Sequence, residues 1–269
     1  MAKKPSQRIA LAQNFIKSSN LVRQLISAST ITSFDTVYDI GAGRGVITAE
    51  LARIARNVIA IEKDTTLVKE LRRRFQGVDN IQVVEDDFLH YHVTDREYKI
   101  FANIPYNITA DIIRKILHTR PMASETYLIM QKEAAEKFAG SPKETRFSIL
   151  AKPWFAFRVV RGLRRTDFDP VPSVDSVLLH IHKRSPPLVE CKDAALYHRF
   201  VRFGFGAWKK NLKSAFKSVF TYEQWKRLSK DYHFPLDATP TELTFEQWLA
   251  LFDCFKYRVS DEKQGYLER

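Results

Sequence analysis

The sequence predicts an α/β protein with a seven-stranded sheet and a small all-helical C-terminal domain. Over roughly the first 180 residues, short apolar runs of strand length alternate with segments whose apolar residues recur at helical spacing. A glycine-rich turn joins the first strong strand to its helix, as in the βα units of parallel sheets. After a Ser-Pro-Pro linker that begins at Ser185, only helical spacing remains. We therefore place one domain at 1–184, starting with a flexible basic arm at 1–12, and a second at 185–269.

The charge of the chain favours a polyanionic partner. Its 269 residues include 43 Lys and Arg against 31 Asp and Glu, a formal net charge of +12, which indicates nucleic acid rather than a membrane surface. Because Cys191 and Cys254 form no CxxC pair, we expect neither a disulfide framework nor a cysteine zinc site, and we predict no metal site. The first residues lack an apolar signal core and no long apolar run follows, so we expect a cytoplasmic protein without a membrane segment.

The first βα unit consists of a strand at 36–40, a glycine loop and a helix at 46–56. The loop reads Gly-Ala-Gly-Arg-Gly from Gly41 onward, and Val46 stands where a GxGxxG motif has its third glycine. This spacing fits close approach of the backbone to a nucleoside better than a pyrophosphate docked on the helix. A glycine loop alone remains weak support for any ligand.

The next two strands end in acidic residues. The strand at 58–62 ends with Glu62, at the position where an acidic residue accepts the ribose hydroxyls of an adenosine-bearing ligand. The strand at 81–84 leads into three successive acidic residues, the last of which is Asp87. Such a run is usually a solvated turn, but at a third successive strand end Asp87 is placed to accept from an adenine amino group.

A fourth strand, at 98–101, leads to the motif Asn-Ile-Pro-Tyr, which begins at Asn103. Pro105 ends the strand because it has no backbone N–H to donate to a neighbouring strand. It also restricts the residue before it to extended geometry. If an adenine stacks on Tyr106, the Asn103 amide oxygen and the Ile104 carbonyl can each accept a hydrogen bond from one N–H of its amine. That arrangement frees the nitrogen lone pair without a titratable base. Taken alone, the motif reads equally well as a turn with a core tyrosine.

Three further strands, at 128–130, 154–160 and 177–182, complete the predicted sheet. Phe168 stands just before a Pro-Val-Pro run. Taken alone, Phe168 is typical of an aromatic residue that anchors a loop to the core. Together with Tyr106, it would form one of the two walls of a pocket for a base extruded from RNA. Two basic segments can contact phosphate or be merely solvated. They are the loop 161–165 and, in the helical domain, Trp208 with Lys209, Lys210, Lys213 and Lys217.

Seven motifs, spread over residues from about 10 to 182, resemble those of the ribosomal RNA adenine dimethylases and follow the same order. They are residues 13–16, 39–45, Glu62, 87–88, 103–107, 131–135 and 168–176. The resemblance implies a class I, Rossmann-like methyltransferase fold that uses S-adenosylmethionine. It further implies two sets of site residues. The cofactor would be held by Asn14, Ile16, Gly41, Glu62, Asp87 and Asn103, and the catalytic residues would be Asn103, Tyr106 and Phe168.

Within that family, residues 103–116 and 131–135 look more like the Erm resistance methyltransferases than the housekeeping dimethylases of small-subunit RNA. We therefore expect mono- or dimethylation of the exocyclic amine of one adenine in 23S rRNA, with resistance to macrolides, lincosamides and streptogramin B. The expected partner is ribosomal RNA, with no protein partner, and the chain is expected to be a monomer. Three alternatives stay open: a 16S-type dimethyltransferase of ribosome biogenesis, a non-catalytic nucleic-acid-binding factor, and an NAD oxidoreductase, which Val46 disfavours.

Overall fold

The computed structural model describes residues 14–206 and 211–268. The predicted basic arm at 1–12, Gln13 and the predicted Trp208–Lys210 contact lie outside the described residues. In chain order the strands and helices are β1 (Phe15–Ile16), α1 (Ser19–Ser27), β2 (Thr36–Ile40), α2 (Val46–Leu51), β3 (Asn57–Glu62), α3 (Thr65–Arg74), β4 (Ile81–Glu85), β5 (Lys99–Asn103), α4 (Thr109–His118), β6 (Glu125–Gln131), α5 (Lys132–Ala139), α6 (Arg146–Ala151), β7 (Phe155–Leu163), β8 (Phe168–Asp169), β9 (Ser176–Lys183), α7 (Ala194–Gly206), α8 (Leu212–Ala215), α9 (Tyr222–Asp231), α10 (Phe245–Arg258) and α11 (Asp261–Gln264).

Seven of the strands form one mixed sheet in the order β4–β3–β2–β5–β6–β9–β7. Strands β2 to β6 run parallel to their neighbours, and β9 runs antiparallel to β6. The strand order reverses between β2 and β5, which is where open α/β sheets bind ligands, at the carboxyl ends of the strands. The predicted α/β fold with a seven-stranded sheet is confirmed, and its reversal point lies between the glycine loop and the Asn-Ile-Pro-Tyr motif.

Local signals explain where the first helices begin and end. The side chain of Ser18 caps α1 and that of Asp64 caps α3 by accepting from backbone N–H groups of the first turn. The helix predicted over 46–56 ends at Leu51. It ends there because the backbone N–H groups of Ile54 and Ala55 both return to the Leu51 carbonyl and tighten the chain into a turn.

One face of the sheet packs against α1 and α2 in an apolar cluster. Val22, Leu25 and Ile26 of α1 are buried there, together with Phe101 of β5 and Tyr127 of β6. Fully burying side chains of this size contributes roughly 1.5–3 kcal/mol each, so the cluster fixes β5, which ends in Asn103.

A second compact unit comprises Glu136–Ala156 and the described residues from Arg184 onward. Its core is aromatic, with Phe200, Phe216, Trp225, Trp248 and Phe255 all nearly excluded from solvent. Capping boxes begin α9 and α10. The C-terminal region is helical, as predicted. The unit also takes in residues 136–156, so the domain boundary between 184 and 185 stays a prediction.

Within the two described ranges, we find no helix long and apolar enough to cross a lipid bilayer.

Candidate active site

The glycine loop between β2 and α2 adopts a backbone that only glycine tolerates well. Gly41 has φ +68° and Gly43 has φ +56°, both in the left-handed region. A Cβ on Gly43 would lie 2.8 Å from a ring carbon of Phe15. The Gly43 N–H donates to Glu62 Oε2 at 2.9 Å. The loop is therefore held from two sides, by the carboxylate at the end of β3 and by the ring of Phe15.

Two clefts open at the carboxyl ends of the strands and share Gly41 and Pro105 on their walls. The first has a volume of about 400 Å³ and the second about 320 Å³, both counting space that is open to solvent. Residues that line the first cleft include Ile40, Ile61, Glu62, Lys63, Asp87 and Phe88. Residues that line the second include Asn14, Phe15, Asn103, Ile104 and Tyr106. Six of the eight predicted site residues thus border two adjoining clefts.

The two predicted acidic residues of the first cleft have different environments. Glu62 is almost fully buried, and its Oε1 accepts from the N–H groups of Lys63 at 2.9 Å and Asp64 at 3.0 Å. Asp87 is partly exposed, and its Oδ1 accepts from the Leu89 N–H at 3.0 Å. Its Oδ2 lies 4.0 Å from the Lys63 ammonium. Glu62 therefore braces the loop, and Asp87, which accepts from fewer donors, keeps more acceptor capacity for a ligand. Both residues line the first cleft.

Asn103 holds its amide in one orientation at the end of β5. Its Nδ2 donates to the backbone oxygen of Asn14 at 2.6 Å. A flipped amide would place two acceptors against each other, so this orientation is chemically required. Among the described residues, the buried Oδ1 has no hydrogen-bond partner. Leaving a buried acceptor unsatisfied costs about 1–3 kcal/mol, which a ligand N–H would recover.

Tyr106 is anchored by its hydroxyl. That oxygen lies 2.6 Å from Ser176 Oγ, and Ser176 is nearly fully buried at the start of β9. Burial raises the pKa of the Tyr106 phenol, while the hydrogen bond to Ser176 opposes the rise. The phenol therefore stays protonated at neutral pH, and the ring is fixed at the mouth of the second cleft.

Ile16 and Phe168 lie beneath the site rather than on its walls. They pair across the short β1–β8 ladder, and Phe168 is 0% exposed in the same apolar cluster as α1. The expectation that a stiff loop presents the Phe168 face is not met in this structure, because the ring is buried in that apolar cluster. Arg44 contacts both strands of the ladder, with its guanidinium 4.7 Å from the Phe15 ring centroid and 3.8 Å from Asp169 Oδ2. A stacking role for Phe168 stays a prediction.

Asp39 is a candidate residue that the sequence analysis did not assign. It is 1% exposed at the end of β2, and its Oδ2 accepts from Thr48 Oγ1 at 2.6 Å. Its Oδ1 meets no donor in the part of the chain that the structure describes. Burial raises the pKa of Asp39 to about 7, and nearby Glu62 adds to the rise, while Thr48 opposes it. The available signal was a polar residue inside an apolar strand, two positions before the first glycine of the loop.

Comparisons with known proteins identify the family that this chain resembles. The family model described as "Ribosomal RNA adenine dimethylase" matches residues 5–256. The chain is 34% identical to an "rRNA adenine N-6-methyltransferase" of Bacteroides fragilis, over 89% of this chain and 90% of the relative. It is 30% identical to a "Ribosomal RNA small subunit methyltransferase A" of Acaryochloris marina, over 93% and 97%.

Among solved structures, one titled "Crystal structure of 23S rRNA methyltransferase ErmE" superposes with a TM-score of 0.85 at 27% sequence identity. The superposition covers 90% of this chain and 100% of that one.

Proposed function

Because this chain belongs to the ribosomal RNA adenine dimethylase family, we propose that it methylates one adenine of 23S rRNA and so confers resistance to macrolide, lincosamide and streptogramin B antibiotics. The family makes the chain an rRNA adenine N-6-methyltransferase that uses S-adenosylmethionine. The proposal adds the choice of the large-subunit RNA, the phenotype, and the roles of individual residues. We further propose that the enzyme acts as a cytoplasmic monomer with no protein partner, that catalysis resides in residues 1–184 and that 185–269 form a separate helical domain.

The residues at the candidate site fit S-adenosylmethionine. Glu62 and Asp87 line the larger cleft. Their carboxylates can accept hydrogen bonds from the ribose hydroxyls and the adenine amine of an adenosine derivative, and their negative charge suits a cationic one. We propose that Asn14, Ile16, Gly41, Glu62, Asp87 and Asn103 hold the cofactor. Ile16 is buried, so its contact would come from the backbone. When bound, the cofactor supplies a methyl group already activated by attachment to a sulfonium.

The single observation that carries the proposed chemistry is the unpartnered amide oxygen of Asn103. Asn103 lines the smaller cleft, together with Ile104, Pro105 and Tyr106. An adenine stacked on the Tyr106 ring brings its amine to Asn103 Oδ1, which accepts a hydrogen bond from one N–H, and the Ile104 carbonyl accepts a hydrogen bond from the other. Because both acceptors carry partial negative charge, they stabilise the positive charge that the nitrogen gains as it forms the new N–CH₃ bond.

No strong base is needed in this arrangement. An amine that has gained a methyl group is positively charged and acidic, so its proton passes to water after the transfer. The protein's contribution is the orientation of the nitrogen lone pair toward the methyl carbon and the two fixed acceptors. This division of roles predicts that substitution of Asn103 lowers the turnover rate, whereas substitution of Tyr106 chiefly weakens binding of the adenine substrate.

Large-subunit RNA is supported by the similarity to the 23S rRNA methyltransferase ErmE and by the Erm-like runs 103–116 and 131–135. The second candidate is small-subunit RNA, which the similarity to a small-subunit methyltransferase favours. The two candidates share the same clefts and differ only in the RNA that reaches them.

The test is transfer of labelled methyl groups from S-adenosylmethionine to purified 23S and 16S rRNA. We expect label on 23S rRNA, lost in Asn103→Ala and Tyr106→Ala. The matched control is Asn57→Ala, an exposed asparagine at the opposite end of β3, which should retain full transfer. Label confined to 16S rRNA would replace the large-subunit proposal with the small-subunit one. Label on neither RNA, with cofactor binding intact, would contradict the proposed roles and favour a binding factor.

A further inference from the structure

Glu125, His180 and His182 lie together at the end of the sheet opposite the candidate active site. Glu125 is the first residue of β6, and the two histidines are close to the end of β9. The register pairs Glu125 with His182 and Tyr127 with His180. Since alternate side chains of a strand share a face, these four stand on the same face of the sheet. The length of β6, roughly 20 Å at 3.3 Å per residue, separates the cluster from the strand ends that border the clefts.

The donor atoms of the three residues already converge. One ligand atom from each lies within 4.8 Å of the others. His182 Nδ1 is 2.8 Å from Glu125 Oε1, and His180 Nε2 is hydrogen-bonded to Glu125 Oε2. The His180 and Glu125 side chains are 12% and 14% exposed, whereas His182 is 50% exposed. Two donors are thus held inside the protein, and the third is open to solvent.

Neighbouring side chains hold the cluster in place. The His180 ring stacks on Tyr127 with ring centroids 4.4 Å apart and planes 1° from parallel. The Tyr127 hydroxyl accepts from the Thr30 N–H at 3.1 Å. Lys99, which pairs with Glu125 across β5 and β6, directs its ammonium to Asp35 at 2.9 Å. The carboxylate of Glu125 therefore pairs with the two imidazoles, and Lys99 pairs with Asp35 instead.

We propose that Glu125, His180 and His182 bind a divalent transition metal of the Zn²⁺ class, with solvent in the fourth position. Two imidazoles and one carboxylate are a donor set that zinc uses in proteins. Bonds of about 2.0–2.1 Å in a tetrahedral site put donor atoms about 3.3 Å apart, so small side-chain torsions convert the hydrogen-bonded cluster into a metal site. Such a metal joins β6 to β9 by three ligands.

This site differs from what the sequence analysis excluded. The absence of a CxxC pair argues only against cysteine sites, and the prediction of no metal followed from it. Glu125 stands 55 positions before His180 and 57 before His182. Only the antiparallel pairing of β6 with β9 brings them together.

The experiment uses the full-length chain after treatment with a chelator, titrated with Zn²⁺ alone and followed by calorimetry and thermal unfolding. We expect one Zn²⁺ per chain and a rise in Tm when it binds. In His182→Asn and in Glu125→Gln, the Zn²⁺ Kd should rise at least tenfold and the Tm shift should disappear, because a ligand is lost. Co²⁺ in place of Zn²⁺ should give the visible absorption of a tetrahedral site in the parent alone.

The matched control is the double variant His90→Asn with His92→Asn. These histidines have the same spacing as His180 and His182, but they lie in irregular chain after β4. The control should bind Zn²⁺ within twofold of the parent. The proposal is overturned if the parent binds no stoichiometric Zn²⁺, or if the control loses as much affinity as His182→Asn. It is also overturned if Co²⁺ gives only an octahedral spectrum, and the cluster is then a carboxylate hydrogen-bonded to two imidazoles.

Discussion

The hydrogen bond between Tyr106 and Ser176 allows the ring of Tyr106 to be separated from its hydroxyl. Tyr106→Phe keeps the ring and removes the 2.6 Å contact to Ser176 Oγ. A net hydrogen bond contributes about 0.5–1.5 kcal/mol, and leaving the buried serine unsatisfied costs about 1–3 kcal/mol. If about 1 kcal/mol of this reaches the transition state, kcat/KM for methyl transfer should fall about fivefold.

Tyr106→Ala should do far more damage, because it also removes the stacking surface. Stacking of a base on an aromatic side chain is worth about 1–3 kcal/mol. Added to the hydrogen-bond loss, this gives about 2–4 kcal/mol, or roughly a 30- to 1,000-fold loss in kcat/KM. The Kd for S-adenosylmethionine should change less than twofold in both variants, since the ring is assigned to the adenine substrate.

The assay is label transfer to an RNA transcript at saturating S-adenosylmethionine, with cofactor affinity from calorimetry. The double variant Tyr106→Phe with Ser176→Ala closes a thermodynamic cycle. Because both partners of one bond are then absent, the double variant should be no worse than Tyr106→Phe. Equal losses in Tyr106→Phe and Tyr106→Ala would refute stacking on the ring. A loss of kcat/KM that parallels a loss of affinity for S-adenosylmethionine would instead assign Tyr106 to cofactor binding.

Three further predictions concern the loop and the layer beneath it. The pKa of Asp39, about 7 when folded and about 3.9 unfolded, means that the native state binds more protons between these values. The free energy of unfolding should therefore fall by up to about 4 kcal/mol as pH rises through this window. Because Asp39→Asn has no carboxyl group there to titrate, urea denaturation should show its stability rising relative to that of the parent from about pH 5 to pH 8. Gly43→Ala, whose Cβ would meet Phe15 at 2.8 Å, should raise the cofactor Kd about tenfold or more. Gly77→Ala, also at positive φ but with nothing within 4 Å, should leave that Kd unchanged, and equal effects in calorimetry would contradict the close-approach argument. Phe168→Ala should lower the free energy of unfolding by about 3–5 kcal/mol, and a normal urea midpoint with lost activity would instead support an adenine-stacking role.

The strand ends that border the clefts could be predicted because their signals are local. Glycines at 41–45, the acidic end of β3 and Pro105 after β5 each specify backbone geometry or a strand terminus within a few residues. Helical and strand periodicities then place Glu62 and Asn103 at the same edge of a parallel sheet, where the structure has them. The adjoining clefts follow from this order.

Contacts between distant residues could not be predicted in the same way. The bond from Asn103 to the Asn14 carbonyl spans 89 residues, and the one from Tyr106 to Ser176 spans 70. Neither depends on a spacing that can be read along the chain. The burial of Phe168 has the same origin, because it results from pairing with Ile16 across 152 residues of sequence rather than from its own loop.

The distribution of the chain between its two compact units shows the same limit. A Ser-Pro-Pro linker marks one boundary, at which Arg184 begins the last part of the second unit. Residues 136–156 join that unit without any compositional signal. The Tyr197 hydroxyl donates to the Ile149 carbonyl at 2.8 Å, and Ile149 belongs to the same buried cluster. The packing of Ile149 thus depends on Tyr197, which comes 48 positions later in the chain.

The most direct test of the central claim is the modification state of ribosomal RNA in a susceptible bacterium that expresses this chain. Mass spectrometry of the purified 23S and 16S rRNA should find N6-methylated adenine at one new position, in 23S rRNA. Growth in the presence of a macrolide should accompany that modification, and both should be absent with Asn103→Ala expressed at the same level. New methylation confined to 16S rRNA, or resistance that persists with Asn103→Ala, would contradict the account.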